Sequence, residues 1–341
     1  VSIAFPLNTG KRPELTVYAF LPTSSSLVSG LDFLINADFI LPANREQIQE
    51  TREWNIWLRN CIPQTFLQGF EEILQSSTER LKSYSFIPIQ KVDRSPFFQP
   101  AADTILSGLR DRAIILTDNG DFIKPEQARF APDPDFRKVF LEDTLPNQLV
   151  ETPLIAETLE KDEIKARLRQ LGVRELSPKE IYNCLKDKGW VARHSPEWFF
   201  SLYEYLKNHP LGNEFSLKGL DILLTEAEEI TNSNNPPRIY LPTNEANEFY
   251  KKNRKISQFL ELQFLNKKLY RKIKEDDPEL EGWLVKETGL FTLDLSLISQ
   301  ELAIKLRGRH KEIDAPTLLW ATRVIFENFS NLSDKGTQIV K

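Results

Sequence analysis

An α+β architecture is predicted, with a mixed sheet and packed helices at the N-terminal end and a mainly helical region after it. Three observations carry this. Short β-prone runs crowd residues 1 to 41, helical spacing takes over from Asn44 to about Tyr84, and it returns from about Leu154 onward.

Ser2-Ile3-Ala4-Phe5 and Leu15 to Leu21 are short runs suited to strands. Turn-like Asn8-Thr9-Gly10-Lys11 separates them, and polar Thr23 to Ser26 follow. The most specific stretch is Gly30 to Trp57. Leu31, Phe33 and Ile35 alternate with Asp32 and Leu34, so the run to Leu41 reads as a half-buried strand that Pro42 ends. Asn44 is then placed to cap a helix, with Gln47 reaching back to the cap and Glu46 in the first turn. Arg45 fits poorly there, because a cation is disfavoured at the positive end of a helix; an anion nearby would account for it. Pro63 kinks this helix or opens a second one, which carries Ile62, Phe66, Phe70, Ile73 and Leu74 on one face.

Between Ile87 and Phe140 the elements are short. Ala113 to Leu116 reads as a strand, Asp118-Asn119-Gly120-Asp121 as a turn into Phe122-Ile123, and Pro125 opens a helical turn. Ser177-Pro178-Lys179-Glu180 is a capping box, and Ser195-Pro196-Glu197-Trp198 repeats the Ser-Pro start. Two such starts are too few to define a repeat array. After the loop Asn232 to Pro237 comes a short strand, Arg238 to Pro242, and then a basic helical stretch. That stretch holds Lys251, Lys252, Arg254, Lys255, Lys267, Lys268, Arg271, Lys272 and Lys274. Glu261, Glu275, Asp276 and Asp277 offset its charge, so lysine stems covering a core edge are favoured over a phosphate-binding face. Ile313 to Phe329 reads as a last apolar helix. The divisions expected are 1–85, 86–150, 151–245 and 246–341.

Composition excludes several classes. The 341 residues include 44 basic and 49 acidic ones, a net charge of −5, so no overall field attracts nucleic acid. No apolar run approaches the roughly 20 residues of a membrane helix, and no signal peptide is visible, which makes a cytoplasmic setting the default. Cys61 and Cys184 cannot build a disulfide framework or a cysteine zinc site; both read as small core residues. His194, His209 and His310 lack metal-ligand spacing, so no metal is expected. The G-x-S-x-G, P-loop and G-x-G-x-x-G patterns are missing. Glu71-Glu72 and Glu228-Glu229 read as solvated helix faces, and Trp54 and Trp57, spaced i, i+3, as core packing rather than a ligand platform. The chain has no methionine and opens at Val1 inside a β-prone run, so it reads as part of a longer protein.

Phe20-Leu21-Pro22-Thr23, Gly30-Leu31-Asp32-Phe33, Asn36-Ala37-Asp38-Phe39, Asn44-Arg45-Glu46 and Glu53 to Leu58 together resemble the region that follows the nucleotide-binding domain in sacsin-like and No-Vein-like proteins. Those proteins belong to the GHKL superfamily, with the ninety-kilodalton heat-shock chaperone as a distant relative. Leu116 to Ile123, Leu171-Gly172-Val173 and Trp198, Leu202 and Tyr203 are similar to later segments of the same proteins. The resemblance touches residues 1 to about 245 and is tight only over 17 to 60. It implies a transducer or middle-domain fold. In the heat-shock relative a Ser-Arg-Glu tripeptide supplies an arginine to the γ-phosphate of ATP held in the preceding domain. Asn44-Arg45-Glu46 is similar to that tripeptide, so the resemblance implies that Arg45, with Asn44 beside it, contacts the phosphate; a guanidinium fork suits that task. The superfamily's own ATP motifs are missing, and Asp118-Asn119-Gly120-Asp121 fails at the second glycine.

The function expected is therefore a non-catalytic transducer that couples the ATP and magnesium state of an upstream ATPase domain to a protein partner or client. The alternative is a nucleic-acid-associated scaffold in a bacterial defence or repair system, using the basic 251–274 segment.

Overall fold

The computed structural model describes residues 1–7, 17–23, 28–44, 46–89, 94–141, 144–234, 238–252, 254, 259–293, 298, 302 and 315–327. By its contacts the chain divides into two units, Val1–Pro132 with Leu149–Leu176, and Asp133–Gln148 with Ser177–Lys341. Helices and several small sheets share the chain, so the α+β class with a mainly helical later part is what forms.

In the first unit β1 (Ser2–Ala4), β2 (Val17–Ala19), β3 (Leu21–Pro22) and β4 (Leu34–Asn36) make a mixed sheet in the order β1-β4-β2-β3. β4 pairs antiparallel with β1 and parallel with β2. The alternation read from sequence extends past the ladder: Leu31, Phe33, Ile35, Ala37 and Phe39 are buried. The strand itself is shorter than expected. The Phe39 amide bonds back to the Ala37 carbonyl at 2.7 Å, and this tight turn takes the chain out of the sheet.

The predicted helix at Asn44 does not form. Helix α1 (Glu53–Gln75) starts later and runs through Pro63 without a break, burying Leu58, Ile62, Phe66, Phe70 and Leu74. Phe66 meets Phe5 at 5.6 Å between centroids, and Phe5 meets Phe86 at 4.9 Å, which closes the core between sheet and helix.

Beyond α1 the chain runs through one succession of elements twice. First come α2 (Gln99–Arg110), the hairpin β5 (Ile115–Leu116) and β6 (Phe122–Ile123), then β7 (Arg129–Phe130), α3 (Pro134–Phe140), α4 (Asp162–Gln170), β8 (Arg174–Glu175) and α5 (Pro178–Leu185). The succession restarts with α6 (Pro196–Asn208), β9 (Leu223–Leu224), β10 (Ile230–Thr231), β11 (Ile239–Tyr240) and α7 (Asn244–Lys252). β12 (Gln263–Phe264) and α8 (Lys267–Asp276) follow.

Bond for bond the two passes agree. Thr117 N donates to Asp121 O at 2.9 Å and Gly120 N to Thr117 O at 3.0 Å; Thr225 N donates to Glu229 O at 2.9 Å and Glu228 N to Thr225 O at 3.0 Å. Antiparallel bridges join Thr117 to Ile155 and Thr225 to Leu265, and the parallel pairing of Arg129 with Leu154 and with Arg174 has its counterpart in Tyr240 with Phe264 and with Phe291. Asp133 caps α3 through Phe136 N, and Thr243 caps α7 through Ala246 N. The Ser-Pro starts that belong together are thus Ser95-Pro96 and Ser195-Pro196, each with its hydroxyl accepting a backbone N–H.

In the second unit α3 packs on α6. Phe136 and Phe140 stack at 4.3 Å, Tyr205 meets both edge-on, and the Trp198 indole donates to Val139 O at 2.7 Å. Two expectations change here. The basic 251–274 segment is not one helix, because β12 pairs with β11 and breaks it. Glu228 and Glu229 lie not on a helix but in the β9–β10 hairpin. The last described helix, α9 (Glu279–Thr288) apart, is α10 (Ala315–Glu327), whose Ala321 joins Ala246 of α7 in a small core.

Candidate functional site

Asn55 holds the predicted site in place. It is fully buried on the first turn of α1, where its amide accepts from Ile40 N at 2.8 Å and donates to Ile40 O and Gln49 O, both at 2.9 Å. Every polar atom of that carboxamide is used, so the ends of the 40–49 excursion are clamped to the helix. Gln49 N also donates to Ile40 O at 3.2 Å. The segment between them is a loop displayed on a rigid base.

Asn44 lies exposed on this loop. Its side chain accepts from Glu46 N at 3.4 Å and donates to Glu46 Oε2 at 2.8 Å, a turn that uses the capping atoms locally. Since no helix begins there, the helix-dipole argument that singled out Arg45 does not hold. Arg45 itself lies outside the described residues.

Trp54 and Trp57 are not core residues. They are 49% and 55% exposed, their ring centroids lie 5.0 Å apart, and the Trp54 indole donates to Asp38 O at 2.9 Å. The helix buries the face of Leu58 and Ile62 instead, and helical spacing alone does not say which face is inside. The pair stands on the surface beside the clamp.

Sequence reasoning missed the charges beneath the site. Arg167 on α4 pairs with Asp32 at 2.9 Å, both buried, and also donates to Ile87 O. Arg94 donates to Gly30 O at 3.3 Å and to Ile89 O. Gly30 has φ +69°, and a Cβ there would sit 2.7 Å from Arg94 Cβ, so only glycine fits. The signal was a lone acid inside an alternating apolar run; its partner lies too far along the chain for local reading. These groups brace the 30–40 segment and touch no open surface, so their role is structural.

Other polar groups read as packing. His194 stacks on Trp198 at 3.9 Å, and His209 on Tyr205 at 4.5 Å; His310 lies outside the described residues. Burial pushes the Cys184 thiol up to about 12, unlike a nucleophile, and Cys61 is half-buried. Lys267, Lys272 and Lys274 pair with Glu226, Asp276 and Glu281. Lys255 and the Lys252 side chain lie outside the described residues. Among the described residues no cluster of His, Cys, Asp and Glu has the makings of a metal site, and no helix is long and apolar enough to cross a membrane.

Half of the chain is similar to Protein NO VEIN of Arabidopsis thaliana. The two are 29% identical over 178 residues, and the match spans 6% of NO VEIN's length. No family model matches the chain, and no solved structure does. The likeness to NO VEIN agrees with the No-Vein-like part of the resemblance read from sequence; the wider superfamily rests on that resemblance alone.

Proposed function

We propose that this chain is the transducer portion of a longer, sacsin-like and heat-shock-chaperone-like ATPase. It couples the nucleotide state of a preceding ATP-binding domain to a protein partner or client. The observation that supports this reading best is the Asn55 clamp, which fixes both ends of the segment that displays Asn44, the sequence neighbour of Arg45, beside an exposed tryptophan pair. A loop built this way is suited to receive another domain rather than to fill a core.

ATP and magnesium would be held by the preceding domain, since the described residues contain no glycine-rich phosphate cradle. The chain's own part is electrostatic. Closure of that domain onto residues 30–60 brings Arg45 to the γ-phosphate, where its fork neutralises charge developing in transfer. The test is ATP turnover by the longer protein with and without Arg45→Ala. A loss of at least about tenfold is expected, a floor below the roughly 10³–10⁵ that an arginine contact to a transferring phosphoryl group supplies; unchanged turnover contradicts the reading.

A further inference from the structure

The second pass through the repeated succession is longer than the first at two places. Residues 111–114 join α2 to β5 and residues 171–173 join α4 to β8, whereas residues 209–222 join α6 to β9 and residues 277–290, with α9 among them, lead from α8 to Phe291. The two additions meet. They line a cleft of about 560 Å³ to which the shared scaffold contributes only Leu206. The first pass shows that the succession forms without them; the added chain buries Ile222, Leu280 and Leu284 on one side and lines the cleft with the other.

Its walls are aromatic and fixed from behind. Trp283 on α9 lies 6.5 Å from the buried ring of Tyr203, and Phe215 on the added loop lies 5.2 Å from Tyr182. Two cations stand at the rim. Lys286 is 82% exposed, and among the described residues its acid is the neighbouring Glu287 at 3.0 Å, a weak surface pair. Lys218 pairs with no carboxylate among the described residues, and its Cγ would lie 3.5 Å from a Cβ on Gly289, at the end of the same helix. Against these two cations the lining holds a single acid, Glu287. The volume falls within the range of small-molecule sites, about 300–1,000 Å³.

We propose that this cleft binds a small aromatic anion. A planar ring packs against Trp283 and Phe215, and a phosphate or carboxylate on it is met by Lys218 and Lys286. Both lysines are exposed, so neither is needed for the fold.

The test is isothermal titration calorimetry on the whole chain with adenosine 5′-monophosphate and 2-naphthoate, against adenosine and 2-naphthamide as uncharged counterparts. At least one anion should bind with Kd below about 1 mM, and its uncharged counterpart at least about tenfold more weakly. Binding of the nucleotide alone assigns phosphate, and of the naphthoate alone carboxylate. Combined Lys218→Glu and Lys286→Glu should lower that affinity at least about tenfold with an unchanged thermal melt. Because Trp283 supports Tyr203, the aromatic wall is tested with Phe215→Ser as well as Trp283→Leu. Absence of binding by both anions, or binding that survives the double lysine exchange, overturns the proposal.

Discussion

The two hairpins, one in each unit, have the same hydrogen bonds made from different residues. The left-handed position is Gly120 at φ +85° in the first and Glu228 at φ +60° in the second. A buried tyrosine grips the residue before each first strand, but from different elements: Tyr84, ahead of α2, donates to Ile114 O at 2.6 Å, and Tyr203, on α6, donates to Ile222 O at 2.7 Å. Backbone position is what the two passes keep. Side chains facing outward from the shared scaffold are what they change. Arg167 precedes the buried Leu168 on α4 and reaches Asp32, whereas Lys272 precedes the buried Ile273 on α8 and lies over Phe200 at 4.7 Å. One pass is tied to Asp32, just ahead of β4; the other carries a cleft.

That contrast is most exposed to test at the two cations. Arg167→Leu removes the guanidinium from the buried Asp32 carboxylate and should cost about 3–5 kcal/mol in urea unfolding, while Lys272→Leu should leave the urea midpoint nearly unchanged. Equal costs would remove the distinction. Alkaline pH should separate the units next. Burial holds the Cys184 thiol at about 12 against an ordinary 9.0 and raises the Tyr203 and Tyr205 hydroxyls, Tyr205 also beside Asp133; in the first unit Tyr84 is raised by burial. Each group is protonated when folded and ionises more readily unfolded. Its stabilisation is therefore complete below its unfolded pKa and is lost as pH rises towards the folded one. Hydrogen exchange across about pH 9 to 11 should show α5 and α6 losing protection before α1 and α2; simultaneous loss would count against it.

The tyrosine pair sharpens the likeness rather than the difference. Tyr84→Phe and Tyr203→Phe each leave a buried carbonyl unmet and should cost a similar amount, about 1–2 kcal/mol by thermal melting. A cost confined to one would mean that the two grips are not equivalent. The smallest effect belongs to the turns: Glu228→Gly should gain up to about 1 kcal/mol and Gly120→Glu should lose about 1 kcal/mol, because only glycine takes that backbone without strain.

These contrasts also mark what was legible in the sequence. The hairpin at Asn119-Gly120 and the caps at Ser177 and Ser195 announced themselves, since each puts its required residue at its required place. The second hairpin did not, because Thr225-Glu226-Ala227-Glu228-Glu229 contains no turn-forming residue and its geometry is imposed by bridges to Leu265. Without that hairpin the repeat could not be seen. Asn44 carried a capping signature, yet Glu46 absorbs it locally while Asn55 decides where the helix begins. Of the candidate site, the surface position of Trp54 and Trp57 and the Asp32–Arg167 brace were not readable, because both depend on which helix face meets the core.

The central functional claim is closure of a nucleotide-holding domain onto residues 30–60. It is tested most directly by hydrogen exchange in the longer protein with and without a non-hydrolysable ATP analogue. Amides between Ile40 and Arg52 should gain protection when the analogue binds, while those of the β9–β10 hairpin should not change. Protection in 40–52 that is indifferent to nucleotide would contradict it.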